Sequence, residues 1–353
     1  MIIPKRILVT PLNWGLGHAT RCIPIIEALE NHGFEPIIAS DGAALALLRK
    51  EFPHLTALEL PSYPIEHAKK GFFFKLTMIS KTPHFLKVIK EEKRAIRQIV
   101  KDHNITGVIS DNRLGAYSKT VPSVFITHQL NILTGSTTWI TSRIHHIFIK
   151  KYQECWVLDV EDGLNLSGKL GHTFNESLNL KYIGPLSRLN KKAVAKKYDL
   201  MVILSGPEPQ RAILEDKLRI ELADYSGKAL FISGIIEPEE KITSTEHITF
   251  YNFMNSTALE QAFNESELVV CRSGYSTIMD LAQLGKKAFF IPTPGQYEQE
   301  YLAKKLKKSK LAPYASQNDF KAEDLHKADL YKGLKHIAGD VKWKDLFSLF
   351  ESK

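Results

Sequence analysis

The chain has 353 residues, 44% of them apolar and 24% charged, with 20 glycines and 16 prolines. That balance excludes whole-chain disorder and collagen-like repeats, and the length suits two domains of about 150 residues each. Net charge is +8, and it is uneven: residues 1–195 hold 25 basic and 16 acidic side chains and the rest 22 and 23, so the first half carries a surplus that can serve nucleic acid, anionic lipid or an acidic substrate, or simply face water.

Short β-branched runs alternate with longer helical patterns along the chain. The first half predicts strands at 6–10, 36–39, 55–60, 107–110, 123–127 and 155–158, with helices such as 18–32 and 86–101 between them. The Lys-rich stretch 189–197 reads as a linker. The second half restarts with strands at 200–204, 229–233, 248–250, 268–271 and 288–291, separated by helices at 209–222, 256–264, 277–284 and 298–308. Residues 343–350 predict one more amphipathic helix, packing back on the body. Such alternation implies α/β structure with parallel sheets covered by helices on both faces. The expected architecture is two doubly wound, Rossmann-like domains facing a cleft: 1–190, 198–335, and a closing helix in 336–353.

Three cysteines (Cys22, Cys155, Cys271) lie far apart without a C-x-x-C pair, which argues against a disulfide framework or a cysteine zinc site and fits a reducing cytoplasm. Residues 1–10 lack the long apolar region of a signal peptide, and no apolar run approaches the roughly 18 residues of a membrane span.

Three motifs carry chemistry. Asn13-Trp14-Gly15-Leu16-Gly17-His18 follows the first strand and opens the first helix. Glycines there allow a tight turn and close approach of a ligand, and a helix N-terminus favours anions. A dinucleotide fingerprint needs glycine where Thr20 stands, which leaves Asp41 after the second strand as the one remaining argument for NAD. His18, near the positive end of a helix dipole, reads either as a neutral general base or as a residue that caps the loop. Cys271-Arg272-Ser273-Gly274-Tyr275-Ser276 runs from strand into helix, with Asp280 one turn on. It reads as a diphosphate site with a carboxylate for ribose, or as a Ser-capped helix. Gln299 and Glu300 follow a Pro-Gly loop and offer partners for sugar hydroxyls.

Together these residues resemble a GT-B glycosyltransferase whose second half is similar to the C-terminal domain of glycosyltransferase family 28, the family of the UDP-N-acetylglucosamine transferase of the peptidoglycan lipid precursor. The stretch from Phe250 through Cys271-Arg272-Ser273-Gly274 to Gln299 carries the likeness, with weaker correspondence at His18, His128-Gln129-Leu130-Asn131, Gly184–Arg188 and Ser205-Gly206-Pro207. The resemblance implies a UDP-sugar in the second domain: uracil on the backbone of Phe253 and Met254, ribose on Asp280, diphosphate on Arg188, Ser205, Gly206, Arg272, Ser273 and Gly274, and the sugar near Gln299 and Glu300. The family has Glu where Asp280 stands, a second Gln at Glu300 and a fuller Gly-rich loop than Ser205–Gln210, so donor identity does not transfer.

On the acceptor side, Gly15, Gly17, His128 and Asn131 are expected to line the first domain's site. Asp111 either orients His18 or pairs with Arg113, and the adjacent His145 and His146 read as structural. Segment 69–81 interleaves Phe72, Phe73 and Phe74 with lysines, and reads as a contact with an anionic membrane or as an inward-packed helix with a lysine rim. The expected activity is inverting transfer of a hexose or N-acetylhexosamine from a UDP-sugar to a lipid-linked or glycan hydroxyl, with His18 as base. It takes no metal and no cofactor, UDP-sugar being a substrate. The expected location is the cytoplasm, peripheral on the inner face of the membrane. A UDP-sugar 2-epimerase and a basic nucleic-acid-binding protein are the alternatives.

Overall fold

The computed structural model describes residues 4–63, 71–173, 175, 177–235, 237, 239–334 and 341–351, with the backbone alone at 71–83 and 136. Two compact units emerge, one of residues 1–188 with 339–353 and one of 189–338.

The first unit holds β1 (Arg6–Pro11), α1 (Leu16–Asn31), β2 (Glu35–Ser40), α2 (Gly42–Glu51), β3 (Ala57–Glu59), α3 (Gly71–Asp102), β4 (Ile105–Asp111), β5 (Ser123–Thr127), α4 (Thr138–Ile149), β6 (Glu154–Val157) and β7 (Leu180–Tyr182). Its seven parallel strands run in the order β3-β2-β1-β4-β5-β6-β7. The order reverses between β1 and β4, so the carboxyl ends of these two strands, Pro11 and Asp111, form the crevice where doubly wound sheets take ligands. The strands are apolar because both faces are covered: Leu8, Ile37 and Val108 lie with Ile96 of α3 in one buried cluster.

The second unit holds β8 (Tyr198–Ile203), α5 (Gln210–Glu221), β9 (Ala229–Ile232), β10 (Ile242–Ser244), β11 (Ile248–Tyr251), α6 (Ser256–Glu265), β12 (Ser266–Cys271), α7 (Tyr275–Leu284), β13 (Lys287–Phe290) and α8 (Tyr297–Lys308). The sheet runs β10-β11-β9-β8-β12-β13 and is parallel except for β10 at its edge. Its reversal lies between β8 and β12, which end at Ile203 and Cys271. The presumed linker is a strap held on this unit. Asn264 of α6 accepts from the backbone of Lys192 and donates to that of Asn190, and Glu260 accepts from Asn190 N. The side chains of residues 190–197 are exposed, as a spacer's are, while the backbone of the stretch is held by facing polar groups.

Helix α9 (Trp343–Glu351) returns to the first unit. Phe347 meets His32, Phe34 and Trp156, and Phe350 meets Phe34 and Trp156. Lys5 Nζ donates to the carbonyls of Phe350 and Glu351 at 3.0 and 2.7 Å, a cation on the helix C-terminus. Gly107 of β4 admits the ring: a Cβ there would stand 2.4 Å from Phe350 Cδ1. Phe350→Ala should therefore destabilise the first unit by about 3–5 kcal/mol, the usual cost of emptying a buried phenylalanine site, read by urea denaturation. A change below about 1 kcal/mol would mean that α9 is an ornament.

Candidate active site

The first site is built at the β1–β4 crevice. Gly15 takes φ +87°, a left-handed conformation that glycine tolerates, and turns the chain into α1. Asn13 fixes the loop: its Oδ1 accepts from Ala44 N at 3.2 Å and its Nδ2 donates to Asp41 at 3.2 Å. His18 then falls in the first turn of α1, with Nδ1 3.2 Å from Asp111 Oδ1. Its side chain is 16% exposed, and Nε2 has no hydrogen bond among the described residues.

Arg21, one turn further along α1 and on the same face, is the strongest partner of Asp111. Its Nε donates to Oδ2 at 2.5 Å and its Nη2 donates to Oδ1. The same Nη2 lies 2.6 Å from His18 Nδ1, and Nη1 lies 3.3 Å from Nδ1 of the buried His128. Burial lowers the His18 pKa below its ordinary 6.5, and the Arg21 charge lowers it further against the opposing pull of Asp111. Burial alone would raise the Asp111 carboxyl, but Arg21 and His18 hold it well below the usual carboxylate range. His18 is thus neutral at pH 7, by burial and Arg21 more than by the helix dipole.

Arg113 does not pair with Asp111. It is fully buried and binds Glu92 Oε1 at 2.5 Å, Asp41 Oδ1 at 2.7 Å and the Pro61 carbonyl at 2.6 Å. Asp41 is thereby occupied in the fold, which removes the last support for NAD. Asn131 also differs from expectation: its Nδ2 donates to the carbonyls of Lys169 and His172 at 2.7 and 2.8 Å and stitches two loops, because a loop amide close to carbonyls satisfies them. His146 likewise binds the Leu130 carbonyl and Asn175.

In the second unit Ser205, Gly206, Arg272, Ser273 and Gly274 follow the two strands of the β8–β12 reversal. Gly206, just after β8, takes φ +105°, and Gly274 caps α7 with open space where a side chain would stand. Helix α7 begins there, and Asp280 lies half-buried on it. Phe253 and Met254 sit in the turn between β11 and α6, with Phe253 N donating to Asn252 Oδ1 at 2.9 Å.

Several side chains expected to touch the donor are instead turned inward. Arg272 is 1% exposed. Its Nη1 donates to the Ile291 and Pro292 carbonyls and its Nη2 to Gln210 O and Gln317 Oε1, all within 3.1 Å. Burial pulls its pKa down to about 10. The two Nη groups brace loop ends where a diphosphate contact was expected, while the buried Nε has no hydrogen-bond partner among the described residues. Ser273 Oγ donates to Gln299 O at 2.8 Å. Gln299 Oε1 accepts from Thr293 N and its Nε2 donates to Gln296, while Glu300 accepts from Gly295 N, so both shape their own loop. Arg188 belongs to the first unit, where Nη1 is 3.4 Å from Glu51. Among the described residues no three His, Cys, Asp or Glu side chains cluster to hold a metal. Segment 69–81 lies outside the residues whose side chains are described.

Sequence reasoning missed Arg21. The signal was its place three residues after His18 on one helix.

Residues 212–337, most of the second unit, match the glycosyltransferase family 28 C-terminal domain. Over these residues the chain is similar to that family. It is 28% identical over 150 residues to the UDP-N-acetylglucosamine--N-acetylmuramyl-(pentapeptide) pyrophosphoryl-undecaprenol N-acetylglucosamine transferase of Haemophilus ducreyi, over 40% of this chain and 41% of that one. It thus spans about two-fifths of the length of that relative. A glycosyltransferase of Methanosarcina mazei, named as uncharacterized, is 25% identical over 320 residues, 84% of this chain and 82% of its own. MurG of Acinetobacter baumannii has the same fold at 12% identity, TM-score 0.61, over 99% of this chain and 100% of that one. So does a UDP-glucosyltransferase of Polygonum tinctorium, at 11% identity and TM-score 0.67, over 99% of each chain. The fold is that of GT-B glycosyltransferases, and the stretch similar to the family 28 C-terminal domain covers the β12–α7 turn and the loop before α8.

Proposed function

We propose that the protein transfers a hexose or N-acetylhexosamine from a UDP-sugar to a hydroxyl of a lipid-linked or glycan acceptor, with inversion and without metal. The observation that carries this reading is the family 28 match across the turn from β12 into α7, where small residues and the backbone amides of the helix start border open space at Gly274. A diphosphate suits those amides, and the helix dipole supplies the charge stabilisation that a metal would otherwise give. Asp280 is the group for ribose on the same helix.

In this reading the acceptor binds the first unit. His18 Nε2 takes the acceptor proton, the oxygen attacks the anomeric carbon in line, and the bond to UDP breaks as charge grows on the diphosphate. The Asp111 carboxylate accepts from Nδ1–H and stabilises the imidazolium that forms. Because the His18 pKa lies below 6.5, the base stays neutral from pH 8 down past that value, and the rate falls only on further acidification. His18→Ala should reduce turnover by about 10² to 10⁴, the worth of a positioned base, and leave UDP binding within twofold, measured as UDP release in EDTA over a panel of UDP-sugars. Retained turnover would remove His18 as base, and turnover that returns only with Mg²⁺ or Mn²⁺ would remove the metal-free mechanism.

A membrane surface is part of the proposal, supported by α4. Trp139, Ile140, Ile144 and Ile147 share one helix face and are exposed, Trp139 and Ile147 by 61% and 60%. Arg143 lies over the Trp139 ring at 5.7 Å, Lys150 and Lys151 follow, and the helix has no acidic residue. An interfacial helix for anionic lipid combines these features, and the net positive first half adds to the attraction. The triple change Trp139→Ser, Ile144→Ser and Ile147→Ser should cut binding to phosphatidylglycerol vesicles at least tenfold at constant melting temperature, since the side chains are already in water. Undiminished vesicle sedimentation would exclude α4 as the contact.

A further inference from the structure

Nδ1 of His18 has two competing neighbours. Arg21 Nη2 is 2.6 Å away and Asp111 Oδ1 3.2 Å away. A guanidinium has donors and no acceptor, and a carboxylate has acceptors and no donor. Nδ1 can serve Arg21 only as a lone pair and Asp111 only as N–H, so the two contacts belong to different tautomers. The shorter contact is the one with Arg21.

We propose that Arg21 is a positioning residue that decides which nitrogen of His18 carries the proton: it holds the resting ring as the Nε2–H tautomer and withholds the base until Nδ1 passes from Arg21 to Asp111. This rests on reading His18 as the base. Arg21 of α1 and Asp111 at the end of β4 contact the ring, Cys22 and Asn112 contact Asp111, and His128 after β5 contacts Arg21. Asp111 is the one anion among them, and Arg21 already binds both of its oxygens. Asp111 raises the basicity of the ring, but burial and the Arg21 charge outweigh it.

The exchange balances through water. As Nη2 leaves, Nδ1 takes a proton from water and the imidazolium is held by Asp111. Nε2 then returns its proton to water. The ring is neutral again, with Nδ1–H on Asp111 and a lone pair at Nε2 for the acceptor hydroxyl. Until then Nε2 is a donor and cannot deprotonate a water molecule. The consequence is a specificity device: a bound UDP-sugar is protected from hydrolysis while no acceptor is present.

The test is the ¹⁵N spectrum of the full chain with labelled histidine, His18 being assigned by its loss in His18→Gln. At pH 7.5 the wild-type protein should show His18 protonated at Nε2 and bare at Nδ1. A wild-type ring protonated at Nδ1 would overturn the proposal. Arg21→Lys keeps the positive charge but loses the fork that reaches both Asp111 and the ring. It should raise the Nδ1–H fraction and increase UDP-sugar hydrolysis without acceptor at least fivefold relative to transfer. A folded Arg21→Lys with an unchanged tautomer would overturn the proposal, and if that variant does not fold, the wild-type spectrum decides. The spectrum needs no substrate. An Nε2–H ring in a protein that turns over no UDP-sugar would reject the transferase reading and leave the proton assignment standing.

Discussion

The Asp111 carboxylate is fully buried at the end of β4, and the first unit's chemistry is organised around keeping it charged there. A buried anion is tolerated when its lone pairs are met, and removing one partner of such a pair costs about 3–5 kcal/mol. Arg21 meets both oxygens, Asn112 Nδ2 adds a bond to Oδ1 at 3.1 Å, and His18 stands at the edge. The pair ties α1 to β4 across the point where the strand order reverses, so the same contact fixes the helix and aims the imidazole. With the folded carboxyl held below its ordinary 3.8, the stability it contributes is present above that value and is lost only as pH falls through its folded pKa.

The second unit answers the same topological problem with a cation. Arg272 follows β12 at the reversal and holds the carbonyls of Ile291, Pro292 and Gln210 in place from beneath. With the ends of β13 and α5 braced in this way, Gly206 and Gly274 leave backbone near open space. In both units a buried arginine shapes a strand-end loop. In the first it also touches the candidate base, and in the second it braces the loops beside Gly206 and Gly274.

Much of this was legible in the chain. The alternation of apolar runs and helical patterns located most strands of both sheets, because each strand is buried on both faces. The short edge strands β7 and β10 escaped, since three residues do not make a pattern, and so did α2, which follows β2 with Asp41 alone between them. The glycine loop points to His18, and of the two partners open to Asp111, His18 and Arg113, the structure pairs it with His18. The side-chain directions of Arg272, Ser273 and Gln299 are not legible in the motif: a motif fixes where the backbone runs, whereas the direction of a side chain depends on carbonyls distant in sequence, such as Gln210 O for Arg272. Arg21 was overlooked because an arginine on a helix usually faces water, and the buried carboxylate that draws it inward is 90 residues away.

The account's central claim is a single displacement in which a neutral His18 activates the acceptor and UDP leaves from the opposite side. The anomeric configuration of the product tests it most directly. With an α-linked UDP-sugar as donor, proton NMR of the purified product should show the β-anomer throughout. An α-linked product would require two displacements or front-side attack and would contradict the account.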